Sequence, residues 1–153
     1  MKNAIVTGGT SGIGLGVVKM LLKKGYRVMS TYVGPDFTEN MENFTPVKVD
    51  QTSREQVYGF IEQVKKEFKT VDCIVCNAGL TIRKSFTETT DDDWDKMMEV
   101  AVNSHYIIIR ELFPLIPVPL WQRAHQGTSD SPAGLRLASS ASISGRSSTG
   151  ISR

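Results

Sequence analysis

The chain has 153 residues, 40% of them hydrophobic, and a formal net charge of +2. That length and apolar content suit one globular domain with a real core and exclude wholesale disorder. The small charge offers no basic surface for nucleic acid or an anionic membrane, and no stretch approaches the ~20 apolar residues that span a bilayer. The opening "MKNAIVTGG" lacks the long apolar core of a secretory signal, so a cytoplasmic protein is expected. No metal site is predicted.

"NAIVT", residues 3–7, reads as a short buried strand. The glycine-rich "GGTSGIGLG" follows. Ile13, Val17, Val18, Leu21 and Leu22 then recur at helical spacing until Lys23, Lys24 and Gly25 mark a helix end. Strand, glycine loop and helix N-terminus in that order make a phosphate cradle. Backbone N–H groups and the positive end of the helix dipole face a surface that no Cβ blocks. Thr7, Gly8, Gly12 and Gly14, spaced T-G-x-x-x-G-x-G, are therefore read as a dinucleotide loop rather than a plain turn.

"YRVMSTY", residues 26–32, is a second strand by its β-formers, and "PVKV", 46–49, a third that ends at Asp50. Ser53 with Gln56 predicts a capping box, and Val57, Phe60, Ile61, Val64 and Phe68 form the stripe of a helix over about 53–69. "VDCIV", residues 71–75, is near-continuously apolar, as buried parallel strands are. Cys73 and Cys76 have C-x-x-C spacing, but strand alternation turns them to opposite faces, so two buried reduced thiols are expected instead of a redox pair. Thr90 before three aspartates starts another helix. In it Trp94, Met97, Met98, Ala101, Tyr106, Ile109, Leu112 and Phe113 are expected to form one stripe, ended by Pro114, Pro117 and Pro119. His105 falls on a different face from Asn103 and is expected at the surface or in an interface.

Strands alternating with helices predict an α/β fold with a doubly wound parallel sheet. Right-handed crossovers order the strands 3-2-1-4, which sets the loops after strands one and four side by side at the switch point where such sheets bind ligands.

The composition changes at Trp121. Residues 121–153 hold nine Ser, four Gly and four Arg but no Lys, whereas the first 120 hold ten Lys and five Ser. The segment reads either as a disordered tail or as a stretch out of frame with the domain, and neither supplies a packed core. The expected division is a dinucleotide-binding domain over 1–120 and an irregular tail over 121–153. Trp121, Arg123 and His125 are too sparse for a nucleic-acid contact.

Four motifs resemble the short-chain dehydrogenase/reductase family, in particular its 3-oxoacyl-carrier-protein-reductase-like branch. They are "TGGTSGIG" after the first strand, Asp50 after the third, "NAG" at Asn77 to Gly79 after the fourth, and "VN" at Val102 and Asn103 in the next helix. The likeness covers residues 1 to about 116 and implies the Rossmann fold and an NAD(P)-dependent oxidoreductase of alcohols and ketones. By this resemblance Gly8, Ser11, Gly12, Ile13 and Gly14 hold the phosphates, Asp50 accepts from the adenine amine, and Asn77, Ala78 and Gly79 line the nicotinamide side. Intact family members are homo-oligomers.

Tyr32 stands where NAD-preferring members end the second strand with a carboxylate. The basic residues of NADP-preferring members are missing too, since the positions read Ser11 and Val33. Lacking the repelling carboxylate, the chain is expected to take NADP(H), with NAD as the alternative if Asp36 folds back onto the site. The resemblance gives Asn103 the role of positioning a relay water. The family's proton-donating Tyr and the Lys four residues after it have no counterpart, because no tyrosine follows Tyr106 and no lysine follows Lys96. Ser142, in "SSASISG", echoes the substrate-orienting serine, although chance is the better account in so serine-rich a segment. A carbonyl or alcohol substrate follows from the resemblance. The rival is a non-catalytic dinucleotide-binding remnant or regulator. The fourth strand lacks a strand partner further along the chain, so self-association through its edge is expected.

Overall fold

The structure, a computed structural model, describes residues 1–117. Four parallel strands are joined by helices except between β2 and β3, which a loop connects: β1 (Lys2–Val6), α1 (Gly12–Lys23), β2 (Tyr26–Tyr32), β3 (Phe44–Lys48), α2 (Arg54–Glu67), β4 (Cys73–Val75), α3 (Asp91–Met98) and α4 (Ser104–Leu112). The sheet order is β3-β2-β1-β4, the predicted one. β1 is the hinge of the sheet, with Ala4, Ile5 and Val6 paired to Val28, Met29 and Ser30 on one side and to Cys73, Ile74 and Val75 on the other.

Alternation along β1 divides the core in two. Ile5 joins Met29, Phe60, Ile61, Val64, Phe68, Ile108 and Leu112 on the face covered by α2 and α4. Ala4 and Val6 join Val18, Leu21 and Val28 on the face covered by α1. Burying both faces is what a parallel sheet requires, since crossover helices must lie against it.

The helix ends follow their chemistry. Gly25 has φ +78 where α1 stops, the left-handed conformation that glycine adopts without strain. Thr90 and Asp93 form a full capping box at α3. The box expected at α2 is half formed. Ser53 accepts from the Gln56 amide, but the Gln56 side chain accepts from the Asp50 N–H instead, clamping the turn after β3.

The helix after Thr90 departs most from expectation. Glu99–Asn103 forms a π turn between α3 and α4. The expected stripe steps five residues from Ala101 to Tyr106, whereas three- and four-residue steps from Val100 run through Ser104, Ile107, Ile108 and Leu112, the face that the structure buries. Trp94, Tyr106, Ile109 and Phe113, all expected inside, are 58%, 61%, 42% and 58% exposed. Leu112 is buried as expected, and the rest of the buried face is Val100, Ser104, His105, Ile107 and Ile108.

β4 is shorter than predicted, and among the described residues it pairs only with β1, leaving Cys73, Ile74 and Val75 half-buried. Cys76 is exposed rather than buried, neither cysteine is in a disulfide, and partial burial raises the Cys76 thiol pKa, the opposite of an activated thiol. No described helix is long and apolar enough to cross a membrane. The expectations for Trp121, Arg123, His125, Ser142 and the 121–153 tail fall outside the described residues.

Candidate functional site

A groove of about 580 Å³ opens at the C-terminal ends of β1, β2, β3 and β4. Gly8, Ser11, Gly12, Ile13, Gly14, Tyr32, Asp50, Asn77, Ala78 and Gly79 all line it. So do Gln51, Leu80 and Val100, which sequence reasoning did not single out. Asn103 is not among the lining residues.

The glycine loop is compact because two of its glycines have no room for a side chain. A Cβ on Gly14 would sink into the Gly8 carbonyl and lie 2.6 Å from Asn77 Nδ2, and one on Gly9 would lie 2.6 Å from Ser30 Cβ. Gly8 and Gly12 have φ +68 and +48, the left-handed region that only glycine enters freely. Ser11 caps α1 without a side-chain hydrogen bond, and the first turn of α1 carries no acidic residue. Its leading N–H groups therefore face outward with the dipole's positive end. Ile13, counted toward the α1 core by its spacing, is 82% exposed and lies over the groove.

Thr7 knits this loop to the one after β4. The amides of Asn77 and Ala78 both donate to Thr7 Oγ1 at 2.9 Å, while Asn77 Nδ2 donates to the carbonyls of Thr7 at 2.9 Å and Gly8 at 3.2 Å. Two buried polar chains run from here to the π turn. In one, the Gly8 amide donates to Thr31 Oγ1, Thr31 to Gln51 Oε1, Gln51 Nε2 to Ser104 Oγ, and Ser104 to the Val100 carbonyl. In the other, Thr7 Oγ1 lies 2.9 Å from His105 Nε2 and His105 Nδ1 lies 2.9 Å from the Ala101 carbonyl. Side-chain bonding to the carbonyls of Val100 and Ala101 supports the loosened helical ladder there. His105, expected at the surface or in an interface, is 8% exposed, and burial lowers its pKa.

Asp50 holds the turn after β3, its Oδ1 accepting from the Thr52 amide and hydroxyl. Beyond β2 the chain does fold back, and Asp36 accepts from Lys48 Nζ at 2.9 Å, a pairing that depresses the Asp36 carboxyl and raises the lysine. A small adjoining hollow is lined by Thr10, Ser11, Val33 and Asp36 among others. Asn103, in the π turn, donates to Glu99 Oε2 at 2.6 Å; Arg54 grips the same carboxylate through Nε and Nη2, and the guanidinium holds it below the usual carboxylate range. No cluster able to hold a metal occurs among the described residues.

The sequence model for short chain dehydrogenases matches residues 2–128. The chain belongs to the short-chain dehydrogenase/reductase family. It is 34% identical to a 2-dehydro-3-deoxy-D-gluconate 5-dehydrogenase of Pseudoalteromonas atlantica over 72% of this chain and 47% of the relative. To a 3-oxoacyl-(acyl-carrier-protein) reductase of Haemophilus influenzae it is 30% identical over 69% of this chain and 46% of the relative. Among solved structures, a blue fluorescent protein from a metagenomic library, in complex with NADPH, superposes with TM-score 0.68 and 27% identity over 76% of this chain and 51% of that one. The chain thus spans about half the length of the short-chain dehydrogenases it matches.

Proposed function

We propose that the groove binds NADP(H), with NAD(H) as the weaker ligand, and that the chain is the dinucleotide-holding part of an oxidoreductase of carbonyls and alcohols. The observation that carries this is the convergence of the glycine loop, Asp50 and the Asn77–Gly79 loop on one lining, with Gly14 packed where any Cβ would displace the Gly8 carbonyl. Membership of the family and the NADPH held by a structural neighbour point the same way.

The residues suit the group chemically. The uncapped α1 N-terminus and the Ser11–Gly14 backbone offer N–H donors to a pyrophosphate. Asp50 commits Oδ1 to Thr52, which leaves its other oxygen to accept from an adenine amine. Ile13 gives apolar cover over the groove, and Asn77, Ala78 and Gly79 form the wall beneath the nicotinamide. Tyr32 ends β2 without a carboxylate, and Lys48 neutralises Asp36, so little negative charge meets a 2′-phosphate. When bound, the nicotinamide exchanges a hydride with a carbonyl or alcohol carbon.

Within the 153 residues no Tyr-x-x-x-Lys follows the Asn77 loop, and general acid catalysis of carbonyl reduction needs a proton donor. This favours a second reading, in which the chain binds the dinucleotide without turning over substrate. Asn103 keeps its assigned role of positioning a relay water only where such a donor is supplied. Calorimetric titration of the full chain with NADPH and with NADH tests the main reading. Saturable binding of NADPH tighter than NADH is expected, and no heat from either at millimolar concentration overturns it.

A further inference from the structure

The buried histidine beneath the groove has its protonation state dictated by its neighbours. A threonine hydroxyl offers one proton and two lone pairs. Both lone pairs of Thr7 Oγ1 are taken by the amides of Asn77 and Ala78, each at 2.9 Å. The hydroxyl proton has one remaining partner, His105 Nε2, also at 2.9 Å. Nε2 must then present its lone pair, which puts the ring proton on Nδ1, donating to the Ala101 carbonyl at 2.9 Å. Every donor and acceptor in the cluster is matched only while the ring is neutral.

A protonated ring donates from both nitrogens. Nε2–H would then be aimed at an oxygen whose lone pairs are already occupied, and one of the two amide bonds from the β4 loop has to yield. Those amides belong to Asn77 and Ala78, which line the groove.

We propose that His105 is a pH-sensitive positioning residue, which holds the Asn77–Gly79 loop against the glycine loop through the Thr7 hydroxyl and releases it when the ring takes up a proton. For the groove's ligand this rests on the dinucleotide reading above, but the loop's response to pH does not. The surroundings favour the neutral ring. Burial lowers its proton affinity, only the Ala101 carbonyl opposes this, and no charged group among the described residues shifts it. Of the titratable groups on the elements around it, Glu99 is bound by Arg54 and Asn103, and Arg110 by Glu111 and Tyr58. Tyr106 is exposed beneath the Arg110 guanidinium, and Cys76 is exposed, its thiol made harder to ionise by partial desolvation. β1 contributes only Lys2, at its opposite end, and β4 is preceded by Asp72, which accepts from the Asn3 amide.

The test follows the full chain by NMR from about pH 8 down to about pH 4, a window that reaches well below ordinary imidazole titration because burial lowers the ring's proton affinity. At the upper end the His105 ring nitrogens should report an Nδ1–H tautomer, and the Asn77 and Ala78 amides should be protected from exchange. As the ring protonates, both protections should fall together, and NADPH affinity should fall about tenfold per pH unit below the ring's titration point. H105Q keeps a hydrogen-bond acceptor that does not titrate, and it should flatten both profiles. An Nε2–H tautomer in the unsubstituted protein, a measurement that needs no variant to fold, overturns the proposal. So does an H105Q profile that follows the unsubstituted one, or amide protection that survives ring protonation. Should NADPH fail to bind at any pH while the amides still follow the ring, the dinucleotide reading falls and the role of His105 stands.

Discussion

Gly14→Ala probes the cradle most directly, because the added methyl meets backbone on one side and the Asn77 amide on the other. Its Cβ would press into the Gly8 carbonyl oxygen, with the Gly8 carbonyl carbon at 2.9 Å and Asn77 Nδ2 at 2.6 Å. Neither backbone atom can swing aside, so the glycine loop must move by about an ångström, as over-packed cores do. That displacement strains the loop and stretches the Asn77 Nδ2 bonds to the Thr7 and Gly8 carbonyls, now 2.9 and 3.2 Å. Over-packing and two weakened hydrogen bonds together cost about 3–5 kcal/mol. Two controls separate crowding from composition. Gly12→Ala enters open space but at φ +48, so backbone strain alone should cost about 1 kcal/mol. Gly16→Ala meets nothing within 4 Å, lies inside α1, and should stabilise by about 0.5–1 kcal/mol. Urea unfolding followed by circular dichroism gives the stabilities, and calorimetry gives NADPH affinity. If Gly14→Ala proves as stable as Gly16→Ala, or binds NADPH like the unsubstituted chain, the account of the loop is wrong.

Asp36→Asn removes the anion that occupies Lys48 and should shift preference further from NADH toward NADPH; a ratio of dissociation constants that does not move would show that Lys48 is too distant to matter. Asp93 is held at about 2 by the Lys84 ammonium and by the amide and hydroxyl of Thr90, so its contribution is complete above the ordinary value of 3.8 and is lost as pH falls toward 2. Acid unfolding of Asp93→Ala should accordingly show a shallower loss across that window than the unsubstituted chain, and parallel curves would contradict the assignment. On the second reading, in which these 153 residues bind the dinucleotide without a Tyr-x-x-x-Lys pair, no ketone should accelerate NADPH oxidation, since going without a general acid costs about 10²–10⁴ in rate. Ketone-dependent loss of NADPH absorbance that Asn103→Ala abolishes would refute this.

Much of the architecture was legible without coordinates. Strand order followed from short apolar runs, intervening helical stripes and the handedness of crossovers, all of which are local or chiral constraints that neighbours seldom override. The groove's lining was legible for a related reason. Glycines act through backbone shape, so Gly8, Gly12 and Gly14 announce themselves by spacing, whereas Asp50 and Asn77 were reached through the family resemblance. Side chains whose place depends on a distant partner did not. Gln51 and Ser104 carry no motif, and their link arises only when the turn after β3 packs beside the π turn. Lys48 and Asp36 meet only because the loop after β2 folds back. The register of α4 was misread because two apolar faces compete there, Tyr106, Ile109 and Phe113 against Ile107, Ile108 and Leu112, and only packing on the sheet chooses between them. Ser104 and His105 bond the carbonyls of Val100 and Ala101 in the π turn, and His105 lies inward beneath Thr7, a contact between residues 98 positions apart.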